Sequence, residues 1–288
     1  MLSLKYIFKK LISALVLLVP ILGVGQSKKD KPLIVFVCGD HEYSGEQTLP
    51  LLAAELEKNY GFRTQIIKSF PNQNAEKDIP GLEVLKEADL AVFFLRWRQL
   101  PPDQLEYIDQ YLNSGKPIMG YRTSTHAFMF PKGHQSEAWN AFGERAFGSP
   151  PGWGKSGHTH YGHKSTTDVS VIEDAAKNTI LTGVMAFHAP SWLYRVQPDY
   201  PPKDAIQLLM GTSVNPDKVA VVNPVAWTWT NKANAKVFFT TLGHPEDFAI
   251  ESFQRLNVNA IHWLLGKKVL KKWKGKIDIS VPYRGIVK

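Results

Sequence analysis

Residues 115–128 read GKPIMGYRTSTHAF. A turn, Asn113-Ser114-Gly115, leads into an apolar run at 117–121 with the length of a buried strand. Arg122, Thr123, Ser124, Thr125 and His126 follow at once. Three other apolar runs stop in the same way. Residues 33–38 give way to Gly39, Asp40, His41 and Glu42; residues 90–95 to Arg96, Trp97 and Arg98; residues 237–242 to Gly243, His244, Pro245 and Glu246. Open α/β sheets keep their ligand sites at the carboxyl ends of parallel strands. If these four runs are parallel neighbours, four polar clusters meet on one edge.

Outward from that stretch the pattern alternates. Leu49, Leu52, Ala53 and Leu56 have helical spacing, and Gly61 stops the helix. Residues 63–68 read as a strand, and a short helix is expected near 82–87. Pro101-Pro102-Asp103 opens a helix with Leu105, Ile108 and Leu112 on one face. A βαβαβαβ order argues for a mostly parallel sheet with right-handed crossovers and helices on both faces. The middle of the chain is less regular. A helix is expected around Trp139, then strands at 168–172, 193–196, 206–212 and 225–230. A long amphipathic helix over 250–265 closes at Gly266, and a last strand is expected at 277–281.

The formal net charge is +8, but Lys5, Lys9 and Lys10 lie in the first 25 residues, which hold no acid, and the remaining +5 is modest. This is not the profile of a dedicated nucleic-acid binder. Those lysines, the apolar run 11–22 and the small residues Gly23-Val24-Gly25 read as a cleavable signal peptide over 1–25. A secreted or periplasmic protein is expected, with a linker at 26–32, one domain over 33–266 and a basic extension over 267–288. The apolar run is shorter than a membrane span, so no membrane association is expected once the signal is removed. Cys38 is the single cysteine, so no disulfide forms within the chain, and it is expected as a small buried hydrophobe.

GDHEY after the first strand, RWR after the third, GKPIMGYRTSTHAF, the loop GHTHYGH, PVAWTW and TTLGHPEDF together resemble the ThuA-like family, named for trehalose utilisation. The resemblance runs from Leu33 to about Gly266. It implies a flavodoxin-like sheet similar to that of class I glutamine amidotransferases, and a link to disaccharides and keto-sugars. Where those enzymes carry a cysteine nucleophile at the strand-to-helix elbow, this chain has Arg122, whose guanidinium stays protonated. Glutaminase activity is therefore not expected. His244 and Glu246 resemble the His-x-Glu of the amidotransferase triad.

The candidate proton-transfer groups are Asp40, His41, His126, His244 and Glu246, since histidines and carboxyls are the usual acid–base side chains near neutrality. Glu42, Arg96, Trp97, Arg98, Arg122, Ser124, His158, His160 and Trp227 are candidates for holding a substrate. Guanidinium forks suit carboxylates and paired hydroxyls, and an indole offers an apolar face to a sugar ring. The elbow is expected to aim Arg122 into the pocket, its charge met by a ligand or by Glu246. Ser124 becomes a nucleophile only if His126 or His244 reaches it. His158, His160 and His163 fall within six positions, and zinc is a candidate ligand for them. The expected function is processing of a glycoside or keto-sugar by acid–base chemistry. The alternatives are a sugar-binding or accessory protein without turnover, and a zinc-dependent hydrolase built on the histidine loop.

Overall fold

The computed structural model describes residues 31–150 and 160–286. The expected signal peptide and His158 lie outside them. Among the described residues the chain forms strands β1 (Leu33–Gly39), β2 (Arg63–Lys68), β3 (Leu90–Leu95), β4 (Ile118–Tyr121), β5 (Thr166–Val171), β6 (Phe187–Ala189), β7 (Ile206–Val214), β8 (Val222–Thr230) and β9 (Lys236–Thr240). The α-helices are α1 (Gly45–Tyr60), α2 (Pro102–Asn113), α3 (Phe142–Phe147) and α4 (Glu251–Leu264).

All nine strands join one sheet in the order β2-β1-β3-β4-β9-β8-β7-β5-β6. The five strands from β2 to β9 are parallel. From β9 outward every pairing is antiparallel. The sheet is therefore mixed, half parallel and half antiparallel, and not mostly parallel. Connection length explains the switch. Residues 215–221 join β7 to β8 and residues 231–235 join β8 to β9. Both are too short for a crossover, which needs a dozen residues or more, so these strands can only turn back on themselves.

Alternate residues of each parallel strand feed two apolar layers. Ile34, Phe36 and Cys38 of β1 pack with Leu52 and Leu56 of α1 and with Leu256 and Ile261 of α4. Leu33, Val35 and Val37 pack on the other face, which holds Ile108 of α2 and Phe147 of α3. Burial on both faces is why these strands read as continuous apolar runs.

Three expected elements differ. Residues 193–196 form no strand; Tyr194 makes one isolated bridge with His160. The helix near Leu82 is a short 3₁₀ turn, Leu82–Lys86. Residues 277–281 alternate between buried and exposed like a strand, but they pair with no other strand. Their partner is a side chain: Gln254 of α4 donates to the Ile277 carbonyl at 2.7 Å and accepts from its N–H at 2.8 Å.

Candidate functional site

β1, β3, β4 and β9 are consecutive in the sheet and parallel. The residues that follow them, Asp40–Glu42, Arg96–Arg98, Arg122–His126 and Thr241–His244, therefore emerge on one edge. Backbone strain gathers there too. Four described non-glycine residues have positive φ, and Ser44 (55°), Trp97 (58°) and Arg122 (37°) stand at this edge. Such conformations cost free energy and cluster at functional sites. Gly243 holds φ at 137°, a region that only glycine enters freely, and so turns the chain into His244.

Asp40 is 1% exposed. Its carboxylate accepts the N–H groups of Tyr43 at 2.6 Å and Glu42 at 3.3 Å, and the Thr123 hydroxyl at 3.3 Å. Burial, with Glu42 beside it, pushes its pKa up to about 7. It also borders a cavity of about 240 Å³ at the ends of β1 and β2, shared with Cys38, Glu46, Lys68, Ser69 and Asn72. Glu42 makes an ion pair with Arg96 Nε at 2.8 Å. Arg96 in turn lies flat on Trp97, its guanidinium carbon 3.2 Å from the ring centre.

His41 sits between two guanidinium groups. Arg96 Nη1 is 2.7 Å from its Nε2, and Arg98 Nη2 is 2.6 Å from its Nδ1. Burial first, then the two arginines, lower its pKa to about 3. With both nitrogens covered and no proton affinity near neutrality, His41 is poorly placed for proton transfer. Arg98 is fully buried and donates to the carbonyls of Arg96 and Ala75 and to Ser69. It clamps the loop after β2 and presents nothing to a ligand.

Arg122 occupies the elbow, as expected, but its side chain does not reach the cavity. It is 0% exposed. Its guanidinium lies 4.3 Å from the ring centre of Tyr43 and 4.4 Å from that of Tyr194. It donates to the carbonyls of Thr241 at 2.9 Å and Trp192 at 3.1 Å and to the Tyr43 hydroxyl at 3.1 Å. Glu246, expected to meet that charge, is exposed. The buried carboxylate of this loop is the next residue. Asp247 accepts from Ser191 N and Oγ, Gly243 N and His244 N, and ties its own loop to the segment at Ser191. The spacing His-x-x-Asp before a helical turn is a capping-box signal that could have pointed to it.

Ser124 is spent on the backbone: its hydroxyl donates to Phe93 O at 2.9 Å and accepts from Leu95 N at 3.1 Å. His126 faces Thr125 instead, 2.8 Å from Nδ1 to Oγ1. Ser124 is thus a strut between the elbow and β3, not a nucleophile. Trp227 is a core residue whose indole donates to Phe147 O. Cys38 is buried in β1, and burial pushes its thiol pKa far up.

His244 caps the turn Pro245–Ala249, accepting from Glu246 N at 3.4 Å. Burial, with Arg122 near, lowers its pKa to about 4. His160 and His163 pack edge to face, 4.6 Å between ring centres, and both lie against Trp192. Burial and His163 lower the His160 pKa to about 4. Among the described residues no three His, Cys, Asp or Glu side chains converge as metal ligands. His158 is outside that set. A larger cavity, about 890 Å³, is lined by Asn113, Glu144, Arg145, Tyr200, Trp229 and Lys232. It lies at the opposite edge of the sheet, where the strand ends bring no such cluster.

A family model described as trehalose utilisation, ThuA, matches residues 36–264, from within β1 to the end of α4. The chain belongs to the ThuA family. Its fold is similar to two solved putative ThuA-like proteins. The one from Parabacteroides merdae superposes with a TM-score of 0.61 at 17% identity, over 88% of this chain and 98% of that one. The one from Bacteroides uniformis gives 0.55 at 18% identity, over 83% and 94%. No curated protein matches the chain. The ThuA match stops before the C-terminal extension.

Proposed function

We propose that this ThuA-family chain processes a carbohydrate, a glycoside or keto-sugar, by proton transfer at the carboxyl edge of its sheet. Asp40 is the acid–base group, with Glu42 and Arg96 as its charged neighbours and Arg96 stacked on Trp97 behind them. The reading rests on Asp40: a buried carboxyl on the rim of a cavity, with a pKa near 7. A carboxyl that is half protonated at neutrality can give a proton to a departing or developing oxygen and take one back. The cavity lies below the usual range of about 300–1,000 Å³ for small-molecule sites and suits one sugar ring. Glu46, Lys68, Ser69 and Asn72 line the cavity with Asp40 and supply its polar groups. Glutamine hydrolysis is not part of this reading, because Arg122 and Ser124 are both engaged in the scaffold and the one thiol is buried. The signal-like first segment supports export.

The test is a screen of disaccharides and their 3-keto derivatives, followed by Asp40→Asn on any sugar that is turned over. Asparagine keeps an acceptor for Tyr43 N–H and cannot carry the proton. The expected fall in kcat is roughly 10²–10⁴-fold, with loss of the pH–rate limb near 7. An unchanged rate in Asp40→Asn would remove this residue from the chemistry.

A further inference from the structure

The segment after α4 lies beyond the family match and carries no element of the sheet, yet it is firmly held. Ile277, Ile279 and Val281 are 5%, 3% and 7% exposed and join the core layer of α1 and α4. The paired hydrogen bonds of Gln254 with Ile277 fix its register. Arg255 donates to Lys271 O, and Trp273 packs near Tyr60. Past this anchor the strap reaches the carboxyl edge. The Tyr283 ring stacks on Tyr43 with 5.7 Å between centres and 27° between planes. It lies 4.5 Å from His244 and meets Trp192 edge on at 6.0 Å. Its neighbours Pro282 and Arg284 are exposed and Tyr283 itself is half-buried. The apolar anchors and the Gln254 hydrogen bonds hold the strap upstream of the ring, and the ring packs beyond them on Tyr43. Its phenol also lies within electrostatic range of Glu42, Asp40 and Arg96, and of Arg122 in the scaffold. A tyrosine offers an apolar face and a polar tip at once, which suits a ring that is half sugar-facing and half packed.

We propose that the C-terminal strap lends Tyr283 to the site, as the ring that covers His244 and forms a stacking wall for the bound sugar. The stacking part rests on the carbohydrate reading above; the covering of His244 does not. The extension is then a specificity element of this chain and not merely a basic surface.

The test uses the mature full-length protein with Tyr283→Ala and Tyr283→Phe. Binding of trehalose and 3-keto-trehalose is measured by calorimetry. The His244 ring is titrated by NMR; the groups facing it are Arg122, Tyr43, Tyr283 and the Glu246 N–H. Tyr283→Ala is expected to weaken sugar binding roughly tenfold and to move the His244 midpoint up from about 4, with the melting temperature little changed. Tyr283→Phe keeps the ring and should keep both properties close to wild type. If wild type binds sugar and Tyr283→Ala binds it equally well, the wall is overturned while the carbohydrate reading stands. If wild type binds no sugar, the carbohydrate reading and the stacking wall fall together. A moved His244 midpoint then still upholds the cover, and an unmoved one overturns it too.

Discussion

Arg122 carries a charge into full burial, and among the described residues no carboxylate makes an ion pair with it. Two aromatic faces, two backbone carbonyls and a phenol hold it instead. A neutral replacement loses all of these contacts and leaves a void under Tyr43 and Tyr194. Arg122→Ala should therefore destabilise the protein by about 3 kcal/mol or more, measured by urea unfolding. This differs from the outcome expected of a residue aimed into an open pocket, which would lose function and keep its stability. The pair Glu246 and Asp247 separates in the same way. Glu246→Ala at an exposed position should stay within about 0.5 kcal/mol of wild type. Asp247→Ala strands the buried donors of Ser191, Gly243 and His244 and should cost about 3 kcal/mol. Equal effects of the two would contradict the assignment of Asp247 as the tie of this loop.

At the scale of elements, the parallel half of the sheet was legible because its strands are buried on both faces and announce themselves as apolar runs. The elbow after β4 was legible as well, since a strand that breaks into polar residues has to leave the core. The C-terminal strap was half legible. Its alternating pattern at 277–281 is real, but alternation reports only that one face is buried, not what the backbone pairs with. Here the backbone is held by a glutamine side chain. Gln254→Ala should free the strap while leaving α4 intact, because Phe253, Leu256 and Ile261 still pack in the core. Loss of the two hydrogen bonds, with Ile277 left unpaired, corresponds to about 1–3 kcal/mol. The expected outcome is faster amide exchange confined to residues 277–286. Unchanged exchange there would mean the apolar anchors alone hold the strap.

Across the whole molecule, burial sets the response to acid. His41, His160, His244 and His262 all have pKa values below their ordinary 6.5, with burial the first cause in each. Folding excludes protons from these rings, so their contribution is present above pH 6.5 and is lost as pH falls toward 3 to 4. Asp40 and Asp247 are raised above their ordinary 3.8. They act in the opposite sense, and the Asp40 contribution fades as pH rises through about 7. Four rings outweigh two carboxyls, so unfolding takes up protons overall between pH 6.5 and 4, and stability falls with pH in that window. A melting temperature that drops from pH 7 to 4, and drops more steeply in Asp40→Asn, is the expected result. Among the described residues no helix is long and apolar enough to cross a membrane. If the first segment is a cleaved signal, mass spectrometry of protein from the native host should find Gln26 at the amino terminus; a chain starting at Met1 would refute cleavage.

The sequence by itself determined which strands are buried and where they break into polar residues, both local properties of residue type and spacing. That the breaks share an edge was decided by the strand order and parallel pairing of the sheet. Nor did the sequence determine which polar residue at each break turns toward the cavity. Arg122, Ser124 and Arg98 read as site residues because they are polar and follow a strand. Only the tertiary structure shows these side chains bonded into the scaffold, as Arg122 is to the carbonyls of Trp192 and Thr241 from distant segments. Asp40 stands out for the same kind of reason. Its raised pKa comes from neighbours that cover it, and covering is made by packing, not by spacing along the chain. Tyr283 lies some forty residues beyond His244 in sequence, and nothing in its local pattern marks it. Its place in the site depends wholly on where α4 and the strap dock.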